Sequence, residues 1–253
     1  MSKVEKHKRE NDILLGFLER PALNWLAKNA PDWVTPDLLT YLGIFASVLT
    51  FVSYALTNLH PGFLWLASLG FALNWLGDSL DGTLARYRHI ERPRFGFLID
   101  HFVDAISAIL MFLGLGVTPY VNFSAAALAT IGYLAVSIMV YLIMIVTGVF
   151  RITNAKIGPT EIRVLAVILN TVIFFVGTPM LDLPLFGSVS FYTLFALLLA
   201  LVMAIYFVVN TSIEAHRLAL LDGKRLERKL EKRAEAQNDS KPGNHVSPAA
   251  SEG

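Results

Sequence analysis

Six stretches of this chain carry almost no charge, and their lengths decide what it can fold into: Leu38–Leu56, Phe63–Gly77, Phe95–Val117, Phe123–Phe150, Val164–Leu181 and Val189–Thr211. A helix crossing the ~30 Å hydrocarbon layer needs roughly 20 apolar residues, and most of these runs reach that length alone or with their flanks. A soluble domain is excluded by the balance of 55% hydrophobic to 16% charged residues. The expectation is an all-α polytopic membrane protein with six transmembrane helices.

Charge placement orients those helices. Lys and Arg cluster at Lys3–Lys28, Arg86–Arg94, Arg151–Arg163 and from Arg217 onward, whereas the intervening loops TNLHPG, VTPYVN and DLPLFG have none. With an even helix count the basic segments share one face, which the positive-inside rule makes cytoplasmic. Both termini are then cytoplasmic, in the inner membrane if the source is bacterial. MSKVEKHKREND lacks an apolar signal core, so the N-terminus is expected to be retained. The absence of Cys excludes thiolate chemistry and Cys-zinc sites.

Four segments follow. Residues 1–34 form an N-terminal segment whose Ile13–Lys28 stretch mixes Leu, Phe and Trp with Arg and Lys, as an interfacial amphipathic helix does. Residues 35–215 are the six-helix membrane domain. Residues 216–236 pair Lys224 with Glu227, Arg228 with Glu231 and Lys232 with Glu235, the pattern of a solvated helix. Residues 237–253 are rich in Ser, Pro, Gly and Asn and read as a disordered tail.

Against this oily background, GDSLDGTLARYRHIERPRFGFLIDHFVD concentrates Asp78, Asp81, Asp100 and Asp104 at the cytoplasmic ends of the second and third helices. Asp78, Asp81, Gly82 and Ala85 fall on one helical stripe, and Gly96, Asp100 and Asp104 on another. An ionised side chain at the bilayer centre costs roughly 2.5 to 3.5 kcal/mol, and four acids together repel. Divalent cations resolve both problems. Oxygen ligands without His or Cys suit Mg²⁺, Mn²⁺ or Ca²⁺, and four carboxylates have the charge for two ions. Small residues beside the acids leave room for a ligand, and Arg86 offers a fork for phosphate, so the pattern points to phosphoryl or pyrophosphate chemistry.

The run D-x-x-D-G-x-x-A-R followed by G-x-x-x-D-x-x-x-D resembles the signature of the CDP-alcohol phosphotransferase family, at Asp78, Asp81, Gly82, Ala85, Arg86, Gly96, Asp100 and Asp104. TPDLLTYLG, Thr35–Gly43, resembles that family's approach to its first helix. Nine residues, Tyr87–Phe95, separate Arg86 from Gly96, where the commonest spacing is eight. The resemblance implies transfer of a substituted phosphate, such as phosphatidyl, from a CDP-alcohol such as CDP-diacylglycerol to an alcohol acceptor, with release of CMP. It implies two ions, Mg²⁺ or Mn²⁺, on Asp78, Asp81, Asp100 and Asp104. Asp104 is then also the base, Gly82 and Arg86 contact the CDP moiety, and the stretch from Asp37 to Thr40 is a further contact. Ala85 and Gly96 complete the substrate-binding set. Donor and acceptor are a CDP-linked lipid or CDP-amino alcohol and a small alcohol or lipid; membrane lipids and a homodimer are expected, nucleic acid is not.

Alternatives stand beside this. The pair Asp100-His101 resembles the choline and ethanolamine phosphotransferase branch, which makes His101 a second candidate base and transfer of phosphocholine or phosphoethanolamine to a diacylglycerol-type lipid an alternative. Intramembrane acids also mark ion pathways, so a divalent metal-ion transporter is the alternative of another class. Arg88, Arg92 and Arg94 are accounted for by the positive-inside bias. GPTEIR, Gly158–Arg163, reads as an ordinary helix start, or else Arg151, Lys156, Glu161 and Arg163 line an acceptor pocket. Asn74 and Asn170 suit helix packing or substrate polarity equally.

Overall fold

The computed structural model describes residues 16–147, 159–184 and 187–239. It contains α1 Gly16–Asn29, α2 Pro36–Leu56, α3 Phe63–Tyr87, α4 Pro93–Gly116, α5 Phe123–Thr147, α6 Pro159–Val176, a hairpin of β1 Met180–Leu183 and β2 Gly187–Ser190, and α7 Phe191–Asp239. Two compact units divide it, Met1–Phe207 and Val208–Gly253. In the second, the charged side chains of α7 from Arg217 to Glu235 are exposed. The tail expected over 237–253 lies outside the described residues from 240 onward, as do Ile13–Leu15 of the expected amphipathic helix.

Among the described residues five helices, α2, α4, α5, α6 and α7, are long and apolar enough to cross a membrane, and the protein is an all-α, multi-pass membrane protein. Large apolar side chains such as Ile131, Leu142, Ile145, Phe175 and Leu201 are exposed on it, as a lipid-facing surface requires. The expected second span, α3, is 25 residues long but is not among the five. It carries Asn74 together with Asp78, Asp81 and Arg86 of the signature, and these lower its hydropathy.

Helix α2 begins sharply. Thr35 Oγ1 accepts the Leu38 amide at 3.2 Å, Pro36 occupies the first turn, and Asp37 complements the helix dipole. Small residues then let α2 and α3 touch backbone to backbone. A Cβ on Gly77 would lie 2.6 Å from both the Gly43 nitrogen and the Leu39 carbonyl oxygen, so only glycine fits there. On α4, Ser107 meets Ser47 of α2 through a 2.7 Å hydroxyl bond. Asn74 of α3 joins them, donating to the Gly43 carbonyl and to Ser47, each at 3.0 Å.

Further toward the start of α3, Asn170 of α6 accepts from the Tyr54 hydroxyl at 2.9 Å and donates to Ser68 at 3.1 Å. Tyr54, Leu64, Phe71, Ile173 and Tyr192 form the apolar core around that pair. A smaller cluster of Leu23 and Ala27 from α1 with Leu39, Leu80 and Leu84 fixes α1 against α2 and α3.

Two features depart from the sequence reading. The connection before α7, expected to be a plain loop around DLPLFG, is a hairpin in which Met180 pairs with Ser190 and Leu183 with Gly187. Gly177 and Gly187 adopt φ of +73° and +69°, which end α6 and help form the turn. The other is α7, one element where the sequence suggested a span ending at Thr211 and a separate charged helix over 216–236. Residues 212–222 contain neither Pro nor Gly and are rich in Leu and Ala, so nothing stops the helix there.

Candidate active site

Helical periodicity sets the acids on α3 and α4, and the packing of both helices against α2 brings three of them together. Asp78, Asp100 and Asp104 each offer a carboxylate oxygen, all within 4.8 Å of one another. A divalent cation bonded to oxygens at about 2.0–2.6 Å spans such a trio, so the donor set fits a hard metal ion. Asp81 is not part of it. Its Oδ2 accepts from the Thr40 hydroxyl at 2.7 Å, and its other oxygen accepts from the Gly82 amide.

The trio has a fixed cation beside it. Arg163, in the first turns of α6, donates Nη2 to Asp78 Oδ2 at 2.7 Å; its side chain is buried, and its Nη1 has no hydrogen-bond partner among the described residues. A buried guanidinium nitrogen without an acceptor is costly unless something anionic arrives to receive it. The sequence reading placed Arg163 in an acceptor pocket with Arg151, Lys156 and Glu161. Glu161 is half-buried two residues before Arg163, while Arg151 and Lys156 lie outside the described residues. Thus α6 combines an ordinary start at Pro159 with a side chain on the acid cluster.

His101 borders the trio, with Nδ1 3.8 Å from Asp100 Oδ2. Its ring is held between Phe97 and Tyr141, at 4.2 and 4.7 Å between ring centres. Behind the acids, Asn74 is 1% exposed and its Oδ1 has no partner among the described residues.

The other signature residues lie along the same end of the bundle. Arg86 is exposed and donates to Thr83 Oγ1 at 3.0 Å, and a Cβ on Gly82 would sit 3.3 Å from its Nη1. Ala85 is half-buried, and its carbonyl accepts the Ile90 amide at 3.0 Å. A Cβ on Gly96 would meet nothing within 4 Å, so that glycine borders open space. Asp37 is held by an ion pair with Arg92, whose guanidinium also lies 4.4 Å from the Phe95 ring centre.

The linker between α3 and α4 does more than supply positive charge. Arg88 donates to three carbonyls of the α1–α2 connection: Val34 at 2.6 Å, Ala30 at 3.0 Å and Pro31 at 2.9 Å. Next to it His89 has φ +57°, a left-handed conformation uncommon outside glycine, in the linker whose spacing departs from the commonest family pattern. Nothing in the sequence pointed to Glu19, which takes three donors from α3 and α6: Trp75 Nε1 at 3.0 Å, Ser79 Oγ at 2.9 Å and Thr160 Oγ1 at 3.1 Å.

Comparison with known proteins agrees with this arrangement. The chain is 29% identical to Cholinephosphotransferase 1 of Bos taurus over 197 residues, covering 72% of this chain and 47% of that protein. It is 32% identical to CDP-diacylglycerol–serine O-phosphatidyltransferase of Encephalitozoon cuniculi over 175 residues, covering 62% of this chain and 44% of that protein. A match to Cholinephosphotransferase 1 of Danio rerio is shorter, 35% identical over 97 residues, with 36% of this chain and 25% of that protein covered. The chain spans about half the length, or less, of these relatives. A sequence model of CDP-alcohol phosphatidyltransferases matches residues 33–208, which include the acid trio, Arg163 and six of the seven helices in whole or part. The chain belongs to the CDP-alcohol phosphatidyltransferase family.

Proposed function

We propose that this protein is a metal-dependent membrane phosphotransferase of phospholipid synthesis, which moves a substituted phosphate from a CDP-alcohol to an alcohol acceptor and releases CMP. The carrying observation is the trio of carboxylate oxygens within 4.8 Å, with the buried Arg163 on Asp78. Asp78, Asp100 and Asp104 would hold a divalent ion, with Asp81 completing a set for two, Mg²⁺ or Mn²⁺. When bound, such ions neutralise pyrophosphate charge and stabilise the charge that develops on transfer.

The chain's own groups supply the rest. The acceptor hydroxyl attacks the phosphorus that carries the transferred alcohol, the bond to the bridging oxygen of CMP breaks, and the hydroxyl proton passes to a carboxylate oxygen of Asp104. His101, clamped between two aromatic rings beside Asp100, is the alternative proton acceptor. Arg86 and the bare backbone at Gly82 receive the CDP moiety, Gly96 leaves room beside it, and the unpartnered Nη1 of Arg163 offers a donor to a substrate phosphate oxygen. Asp37 and Thr40 act by holding Arg92 and Asp81 in place.

Two donor assignments follow from the relatives' names. One is a CDP-diacylglycerol donor with a small alcohol acceptor; the other is a CDP-amino alcohol donor with a diacylglycerol-type acceptor, which His101 favours. In both, α3 is counted as a sixth span, α1 lies at the interface, the segment boundaries fall near 35, 216 and 237, and the acid end faces the cytoplasm in a homodimer.

Purified protein incubated with CDP-diacylglycerol, CDP-choline or CDP-ethanolamine, each against a panel of acceptors, should release CMP with one donor class only. EDTA should abolish release and Mg²⁺ or Mn²⁺ restore it. Metal flux into vesicles without CMP release from any donor would replace this reading with the transporter. Asp104→Asn and His101→Ala identify the base: the true base variant loses transfer while still binding donor.

A further inference from the structure

The N-terminal helix reaches the acid cluster through one carboxylate. Glu19 is half-buried on α1, and its two oxygens accept from Trp75 and Ser79 of α3 and from Thr160 of α6. Ser79 adjoins Asp78, and Thr160 lies one turn before Arg163, the residue that donates to Asp78 at 2.7 Å. The contacts close a ring: Glu19 to Ser79, along the backbone to Asp78, across to Arg163, along α6 to Thr160, and back to Glu19. One side of that ring is the ion pair of the candidate site; the other is Glu19 alone.

We infer that Glu19 is a positioning residue which fixes the start of α6 against α3 and thereby holds the Arg163 guanidinium on Asp78. The apolar cluster of Leu23, Ala27, Leu39, Leu80 and Leu84 docks α1 whether or not Glu19 is charged, so the carboxylate is not needed for adhesion. What it adds is direction. Ser79 and Thr160 have hydroxyls that rotate freely, and a carboxylate accepting both at once sets the separation of their helices. Without it the Arg163–Asp78 pair still joins the first turns of α6 to α3, but nothing sets the separation at Thr160 and Ser79 in its place.

This inference rests on the phosphotransferase reading for its kinetic consequence, but not for its physical one. A guanidinium held against a metal-ligating carboxylate repels the metal and occupies one of its oxygens. Releasing it should tighten metal binding while harming transfer, a combination that general disruption of the fold does not give.

The test is Mn²⁺ binding followed by electron paramagnetic resonance, with CMP release measured on the same detergent-purified full-length preparations. Arg163→Ala should bind Mn²⁺ about fivefold more tightly than wild type, an effect of like-charge removal at short range. Glu19→Ala and Thr160→Val should shift Mn²⁺ affinity in the same direction, and Glu19→Ala combined with Arg163→Ala should add nothing to Arg163→Ala alone. Trp75→Phe, which loses a Glu19 contact without touching α6, should leave Mn²⁺ affinity unmoved. In kinetics, Glu19→Ala should raise the donor KM more than it lowers kcat, and Glu19→Gln, whose amide oxygen still accepts, should recover most of the loss. Additive effects in the double variant, weaker or unchanged Mn²⁺ binding in Glu19→Ala, or no recovery in Glu19→Gln would overturn the inference. If wild type releases no CMP from any CDP-alcohol while the Mn²⁺ cycle behaves as described, the phosphotransferase reading fails and the positioning role stands.

Discussion

The two ends of the helical bundle handle polar groups in opposite ways. Where α2, α4 and α6 finish, neutral groups tie these helices off: Asn58 donates to the Val117 carbonyl at 2.8 Å, Thr193 accepts the Asn122 amide at 2.9 Å, and Tyr192 donates to the Gly177 carbonyl at 2.9 Å. Where α2, α4 and α6 begin, three acids crowd together, and among the described residues a guanidinium nitrogen has no acceptor and the Asn74 oxygen has no donor. Asn170 and Asn74 are each 1% exposed, yet only Asn170, farther from the acids, has both amide atoms bonded. Stability accounts for the first end; the second has hydrogen-bonding capacity to spare for a ligand.

The largest effect that can break this contrast is at the acid trio. Asp78→Asn or Asp104→Asn should reduce CMP release by about 10²–10⁴-fold. In EDTA Asp104→Asn should melt no lower than wild type, because removing one of three mutually repelling carboxylates relieves the native state; the expectation is confined to that variant, since Asp78→Asn also strips the buried Arg163 of its partner. A large fall in melting temperature in EDTA would instead make the trio a structural element.

Two glycines sharpen the contrast next. Gly77→Ala forces a Cβ to 2.6 Å from the α2 backbone and should cost about 1–3 kcal/mol of stability. Gly96→Ala meets nothing within 4 Å and should leave stability level or raise it by up to about 1 kcal/mol, since alanine is the better helix former. Its donor KM should nevertheless rise by about tenfold or more if the open space receives substrate. Chemical denaturation and donor titration of both variants separate the two roles.

At the neutral end the effects should be confined to stability. Tyr54→Phe leaves Asn170 Oδ1 without its 2.9 Å donor in a buried site and should cost about 1–3 kcal/mol, with kcat per folded molecule unchanged. Smallest is Asn58→Ala, which removes an exposed bond to Val117 and should cost about 0.5–1.5 kcal/mol. A change in metal dependence from either variant would mean that the two ends are coupled. Cysteines introduced singly at Asn58 and at His89 of this Cys-free chain should label from opposite sides of the membrane.

The difference between the ends also separates what could be read from residues alone. Spans and acid stripes were legible because they depend on residues three or four apart: Asp78 with Asp81 and Asp100 with Asp104 share helix faces wherever those helices pack. Apolar runs gave the helices the same way, and failed mainly where continuity was the question, at the hairpin after Gly177 and along α7. Arg88 was read as a topological charge because a long side chain's partner does not show in its own neighbourhood; it clamps carbonyls more than 50 residues away.

By itself, the sequence determined that this is a helical membrane chain with acids suited to a divalent metal on two successive helices, since solvent preference and helical period are local properties. Only the tertiary structure decided which three acids converge, that Asp81 is engaged with Thr40, that Arg163, 85 residues from Asp78, supplies the buried cation, and that Glu19, 141 residues from Thr160, ties α1 to α6. Those pairings follow from how closely small residues such as Gly43 and Gly77 let the helices approach, and separation in sequence carries no record of that distance.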